Sequence, residues 1–208
     1  LYAYGDEFPA RPGIPPETNV IGQRNPIPFF GVGLLAEVSA EEILSRADPD
    51  DLDEDGISGR AALINDPATA QQRVGRFGWK AQHANLLSFA GDAYLNEMGI
   101  TNRFFRAENA PNGNTALIAR FNTGVIEDAV DPATGKSDMD AFADFMRFLA
   151  APPRATMTQS ARIGELMFGT IGCTGCHVPS YNTGPNAVAA LSNQTVNLYS
   201  DLLLHDMG

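Results

Sequence analysis

Cysteine is nearly missing: the 208 residues contain two, at positions 173 and 176. A fold stapled by disulfides needs several pairs spread along the chain, so this one is held together by other means. Positive charge is scarce too. Fourteen Lys and Arg face 25 Asp and Glu, a formal net charge of −11. That balance repels nucleic acid and anionic lipid and favours a basic partner in any electrostatically steered encounter. No apolar stretch approaches the roughly 18 residues of a membrane-spanning helix. No initiating Met is present, and no charged leader precedes an apolar run. The sequence stops straight after Leu202-Leu203-Leu204 with His205-Asp206-Met207-Gly208, and it reads as a processed or partial chain.

What is there is apolar enough, at 44% hydrophobic, to form one large domain or two small ones with a real core. Twenty Gly and fourteen Pro mark a loop-rich chain, of a kind that often wraps a cofactor supplying part of the core. Residues 1–33 carry Pro9, Pro12, Pro15, Pro16, Pro26 and Pro28 and predict an irregular lead-in, anchored through Phe29, Phe30, Leu34 and Leu35. Ser39 with Glu42 is a capping box that starts a short helix through about Ala47. A helix is expected over 83–98, with Leu86, Leu87, Ala90, Ala93, Tyr94 and Met98 on its apolar face. Residues 101–137 are Asn- and Gly-rich, and Leu117-Ile118-Ala119 fits short strand or loop equally. Ser137 and Asp140 cap a helix with the stripe Met139, Phe142, Phe145, Met146 and Leu149, which Pro152-Pro153 stops. Thr158 opens another, with Ile163, Leu166 and Met167 on one side, running to Gly169 and Gly172. The expected fold is mainly α: a segment over 155–208 that holds both cysteines, and a long loop-rich, partly helical region over 1–154 that packs on it.

The two cysteines stand in Cys173-Thr174-Gly175-Cys176-His177, the pattern of covalent haem attachment. Two thiols must reach vinyl groups on neighbouring pyrroles, and the next residue must turn an imidazole under the iron. One helical turn delivers all three. A thioredoxin-like pair would follow a strand in a βαβ unit, and none is expected here. A zinc site needs four ligands, with only His83 and His205 left to join the cluster. The reading is therefore one haem c per chain on Cys173 and Cys176, with His177 as proximal ligand, which makes 155–208 a cytochrome c-like haem-attachment segment. Because haem c is attached outside the cytoplasm, a periplasmic or extracellular location follows. Met207 and His205 are the candidate distal ligands; a propionate contact for His205 and simple packing for Met207 are the alternatives. Methionine opposite histidine suits electron transfer, and an open position suits peroxide or oxygen chemistry.

Several segments taken together resemble the bacterial di-haem oxidoreductases, also called thiol oxidoreductases, which are related to the di-haem cytochrome c peroxidases. They are Arg24-Asn-Pro-Ile-Pro28 followed by Gly33-Leu-Leu35, Asp53-Glu-Asp-Gly-Ile-Ser-Gly-Arg60, Gly75-Arg-Phe-Gly-Trp-Lys-Ala81, Asn96-Glu-Met-Gly-Ile-Thr101, Leu149-Ala-Ala-Pro-Pro-Arg154, and the stretch from the haem motif to Gly208. Members of that family carry two haem motifs. This sequence has one, so it resembles the middle and second-haem part, and an N-terminal haem domain is expected in another chain or segment. The resemblance implies that Trp79, which precedes Glu97-Met98, contacts the haem or relays electrons to a neighbouring one; an amphipathic core Trp is the alternative.

Two further groups stand out. Asp51, Asp53 and Asp55 occupy positions one, three and five before Gly56, as in the start of a calcium loop, with the Ile57 carbonyl as the next oxygen. Position twelve is Ala62, which excludes an EF-hand and leaves a looser oxygen cage that uses Asp48 or Asp50; the alternative is a solvated acidic turn capped by Arg60. Arg73 and Arg76 flank Trp79 and are candidates to pair with haem propionates, or are surface charge. His83 is expected at the surface or as a cap. The leading function is electron transfer to a redox protein partner or neighbouring haem, within an exported di-haem oxidoreductase-like protein. A peroxidase-type enzyme reducing a small oxidant at an open iron, and a haem subunit of an extracellular electron-transfer assembly, are the other readings.

Overall fold

Helices and long irregular segments make up most of the chain in the computed structural model, which describes residues 13–23, 25–120 and 122–206. Helix outweighs strand, and the strands are short, so the chain is mainly helical. It divides into two units, residues 1–28 with 87–143, and residues 29–86 with 144–208. Met207, Arg24 and the first prolines lie outside the described residues.

In the first unit the body of α3 (Leu86–Met98) and the first turns of α5 (Asp138–Phe148) supply the buried side chains Ala90, Leu95, Met139 and Ala143. Gly91 is where the two helices approach: a Cβ there would stand 2.9 Å from the Met139 sulfur and 3.2 Å from Asn102 Oδ1. Asn102, fully buried, donates to the Gly91 carbonyl and accepts from the Phe104 and Phe105 amides, so its amide group satisfies a tight turn from inside. Ser137 starts α5 as expected. Its N–H and hydroxyl both donate to Asp140, and Asp140 receives a two-pronged pair from Arg103 at 2.6 and 2.7 Å. That pair holds the Asp140 carboxyl down at about 2. Leu117-Ile118 is neither strand nor loop but the end of a one-turn helix, α4 (Thr115–Ile118). Asn114 caps it by accepting from the Leu117 amide, a signal the apolar patch had obscured.

The second unit starts at α1 (Val32–Ala36) and α2 (Ala40–Leu44). Ser39 caps α2 by accepting from the Glu42 amide, while the Glu42 carboxylate pairs with Arg46. Gly33 lets α1 touch the end of α5, since a Cβ there would lie 1.9 Å from the Arg147 carbonyl oxygen. Glu37 ties the same region together, receiving Arg147 at 2.8 Å and Asn186 at 2.7 Å. A hairpin, β1 (Leu63–Asp66) and β2 (Gln71–Val74), pairs antiparallel from Leu63 with Val74 to Asp66 with Gln71. The sequence did not announce it, because only Asp66 and Val74 of its eight side chains are buried and no alternation results. Asp66 builds its turn, accepting from Thr69 and from Asn85.

The core of this unit is Val38, Ile43, Val74, Val178, Tyr181 and Val196, flanked by Leu34, Leu35, Leu198, Leu202 and Leu203. Val178 and Tyr181 follow directly on the Cys-Cys-His turn. Burying a side chain such as Val178 contributes roughly 1.5–3 kcal/mol, which anchors that turn from its C-terminal side. Tyr181 pairs with Val196 where β3 (Tyr181–Asn182) meets β4 (Thr195–Val196). Burial pushes the Tyr181 hydroxyl up to about 12, and Arg46 lies over its ring at 5.0 Å. From the N-terminal side the turn is fed by α6 (Gln159–Thr170), capped by Thr158 accepting from the Ala161 amide. No helix among the described residues is long and apolar enough to cross a membrane.

Exposure departs from the expected stripes at several points. Phe145 on α5 and Met98 on α3 lie open to solvent, and Leu95 takes the buried place on α3. Every apolar side chain expected on one side of α6 is exposed: Ile163, Leu166 and Met167, together with Ile171 just beyond the helix. His83 is buried, not at the surface; its backbone bridges Phe77 in both directions.

Candidate functional site

Gly172 ends α6 in the left-handed conformation at φ 87°, which turns the chain at once into a single 3₁₀ turn, Cys173–Gly175. The His177 amide closes that turn on the Cys173 carbonyl at 2.9 Å. Both thiols are free and half-buried, and His177 is exposed. Burial pushes the Cys176 thiol up, with Asp201 and Asp55 adding to the shift, so it is held as the protonated thiol.

The segment 199–201 runs back along this turn. The Asp201 amide donates to the Cys176 carbonyl at 2.9 Å, and the Ser200 amide to the Val178 carbonyl at 3.1 Å. This brings the Tyr199 carbonyl 2.9 Å from His177 Nδ1. A carbonyl only accepts, so Nδ1 carries a proton; in the neutral ring the lone pair is then on Nε2, which has no partner among the described residues. Phe168 meets the edge of the His177 ring with centroids 5.9 Å apart and the Tyr199 ring at 5.8 Å. The Tyr199 hydroxyl donates to Glu165 Oε1 at 3.0 Å, and Arg154 donates to the same oxygen at 2.6 Å. Arg154 and Tyr199 hold the Glu165 carboxyl below the usual carboxylate range. None of these neighbours was legible beforehand, since Tyr199 lies 22 residues from His177 and no local spacing links them.

His205 stands on the Cys176 side. Its Nε2 is 2.6 Å from Asp201 Oδ2, and Asp201 is buried. The i, i+4 interval between the two was the available signal for this pair. Atoms of Cys176, Asp201 and His205 able to bind a metal all lie within 4.8 Å of one another. Gly59 makes room for the imidazole: a Cβ there would be 3.0 Å from His205 Cε1 and 2.6 Å from Leu203 Cδ1. An antiparallel bridge between Arg60 and Leu204 holds these segments together.

The same bridge sets the acidic loop beside the Cys-Cys-His turn. Ile57 presses on Gly175, where a Cβ would come within 2.7 Å of Ile57 Cδ1. Within the loop the carboxylates cap their own backbone: Asp51 accepts from the Gly56 amide, Asp53 from Asp55, and Asp55 from Ile57. The carboxylates gathered within 4.8 Å of one another are those of Asp48, Asp51 and Asp53, so Asp48 stands where spacing alone had placed Asp55. Arg60 closes the loop by donating to the Pro49 carbonyl at 2.7 Å.

Arg76 is buried, and its Nη1 donates to the Ala36 and Val38 carbonyls. Burial, and then Arg73, lower its pKa. Its Nε is buried with no partner among the described residues. Trp79 is 54% exposed and therefore not a core Trp, and Arg73 is exposed.

No curated protein and no solved structure matches the chain significantly. The model of one family does, over residues 16–208, and its description is di-haem oxidoreductase, putative peroxidase. That match covers the Cys-Cys-His turn, the acidic loop and the Trp79 segment alike, and the chain belongs to this family of haem-containing oxidoreductases.

Proposed function

We propose that the chain carries one haem c, joined through Cys173 and Cys176 with His177 as proximal ligand, and that it passes electrons to a redox protein or a neighbouring haem. The observation that carries this reading is the setting of His177: Nδ1 is committed to a backbone carbonyl, Nε2 has no partner among the described residues, and two free thiols sit on the same turn. That donor set suits an iron porphyrin attached through two side chains. The exposed side chains of Ile163, Leu166, Met167 and Ile171 add apolar surface next to the turn. The orphaned Nε of Arg76 suits a propionate. A bound haem supplies a one-electron couple whose potential follows its axial ligands.

The chain's own residues would do the rest. Cys173 and Cys176 fix the macrocycle against the turn that Val178 and Tyr181 anchor in the core. Tyr199 sets the tautomer of His177. Trp79, exposed on the segment after Arg76, would meet a partner or a neighbouring haem. Export to the periplasm or beyond follows from thioether attachment, and a second haem domain of the family would come from another chain or segment.

The rival reading, reduction of a small oxidant at an open iron, gains from one observation. His205 Nε2 is bonded to a buried carboxylate, so acting as distal ligand would require breaking that bond. Absorption and resonance Raman spectra of the oxidised and reduced protein decide between them. Six-coordinate low-spin iron indifferent to peroxide supports electron transfer, and high-spin iron that reacts with peroxide overturns it in favour of the enzyme.

Calcium is a secondary part of the reading, at Asp51, Asp53, Asp55 and the Ile57 carbonyl with Asp48 added. The Asp48 Oδ1, buried without a partner among the described residues, favours it. Isothermal titration with calcium should show binding that Asp48→Asn weakens; a flat titration removes the ion.

A further inference from the structure

Tyr199 holds its backbone at φ 54°, a region that aromatic residues enter only when their surroundings impose it. Three contacts meet on this residue. Its carbonyl accepts from His177 Nδ1, its ring edge meets Phe168, and its hydroxyl donates to Glu165. Glu165 and Phe168 are three residues apart on α6, so they adjoin on its surface. Glu165 is held in turn by Arg154, through the same oxygen that accepts the tyrosine hydroxyl. Backbone bonds to Cys176 and Val178 fix where the 199–201 segment runs. The Tyr199 amide donates to the Pro179 carbonyl as well, and the Ser200 bond orients the peptide plane that carries the Tyr199 carbonyl; the side chain adds the hold that keeps this residue at its left-handed φ and that plane from tilting.

We propose that Arg154, Glu165 and Tyr199 form a positioning clamp that fixes the rotation of the His177 imidazole through the Tyr199 carbonyl. The inference rests on the reading of His177 as an iron ligand and adds to it the residues that set how strongly that ligand donates. An imidazole whose Nδ1–H is held by an acceptor is a stronger donor at Nε2. A stronger donor favours the ferric state, so loosening the clamp should raise the reduction potential. Arg154 and Glu165 act through Tyr199 and have no part in binding the iron.

The test uses the exported, haem-loaded protein as wild type, Tyr199→Phe, Glu165→Ala and the double variant, each first assayed for thioether-bound haem and then titrated potentiometrically. The clamp predicts that either single variant raises the reduced-to-oxidised ratio at fixed potential about threefold, a shift near +30 mV for a one-electron couple. The double variant should shift no further than either single one, because both break the same connection. If Glu165→Ala fails to load haem, Tyr199→Phe, which keeps the ring against Phe168, carries the test. Variants with full haem content and the wild-type potential overturn the clamp while leaving the haem reading intact. A wild-type protein without thioether-bound haem overturns both.

Discussion

His177 Nδ1 and the carbonyl oxygen of Tyr199 lie 2.9 Å apart, joining the residue after the second cysteine to a segment 22 positions downstream. This contact makes the Cys-Cys-His turn more than a sequence pattern. An unrestrained histidine at the surface would present either nitrogen, whereas this one is held with Nε2 as its free donor.

The two thiols should be individually useful and jointly required. Cys173→Ala and Cys176→Ala should each retain haem that survives denaturation, through the one remaining link. The double variant should retain none. Haem staining after denaturing electrophoresis checks this, and a covalent haem in the double variant would place the attachment elsewhere.

Asp140 gives the first unit an acid-sensitive joint. Its folded pKa, about 2, lies below its ordinary value of 3.8 because Arg103 hydrogen-bonds the carboxylate. The folded state therefore gains stability from this group above the ordinary value and loses it as pH falls from about 4 through about 2. Solvent screening of a partly exposed pair keeps the gain to about 1 kcal/mol. Asp140→Asn should lower Tm by about 2–4 °C at neutral pH and flatten the acid limb of the stability curve. Thermal melts from pH 2 to 7 measure both, and an unchanged acid limb would contradict the assignment.

Two glycines should respond very unequally to a methyl group. At Gly33 a Cβ would run into the Arg147 carbonyl, which is backbone and cannot step aside. Gly33→Ala should cost about 3 kcal/mol or more. At Gly175 the obstacle is the tip of Ile57, a side chain free to change rotamer. Gly175→Ala should cost under about 1 kcal/mol. Urea denaturation of both variants ranks them, and equal losses would mean that the acidic loop is far stiffer than its contacts imply.

What could be foreseen followed from how local each cause is. The caps at Ser39, Ser137 and Thr158 act within one turn, and the helices they start are where the sequence places them. The Cys-Cys-His turn is equally local. The hairpin over 63–74 escaped because its register comes from the buried Asp66 turn and not from alternating apolar residues. Phe145 and the α6 side chains fit a helical stripe, yet lie exposed, since periodicity tells which residues share a face and not what covers that face. Asp48 joins the acidic group from within the same loop, just outside the one-three-five spacing, whereas Tyr199, Glu165 and Arg154 join His177 through contacts between distant segments that no spacing rule encodes.

The most direct measurement is the intact mass of the exported protein, paired with a pyridine haemochrome spectrum of the same sample after acidic acetone extraction. Thioether attachment predicts a polypeptide heavier by one haem, with the pigment still on the protein after extraction. A bare polypeptide mass, or pigment that leaves entirely with the solvent, would contradict it.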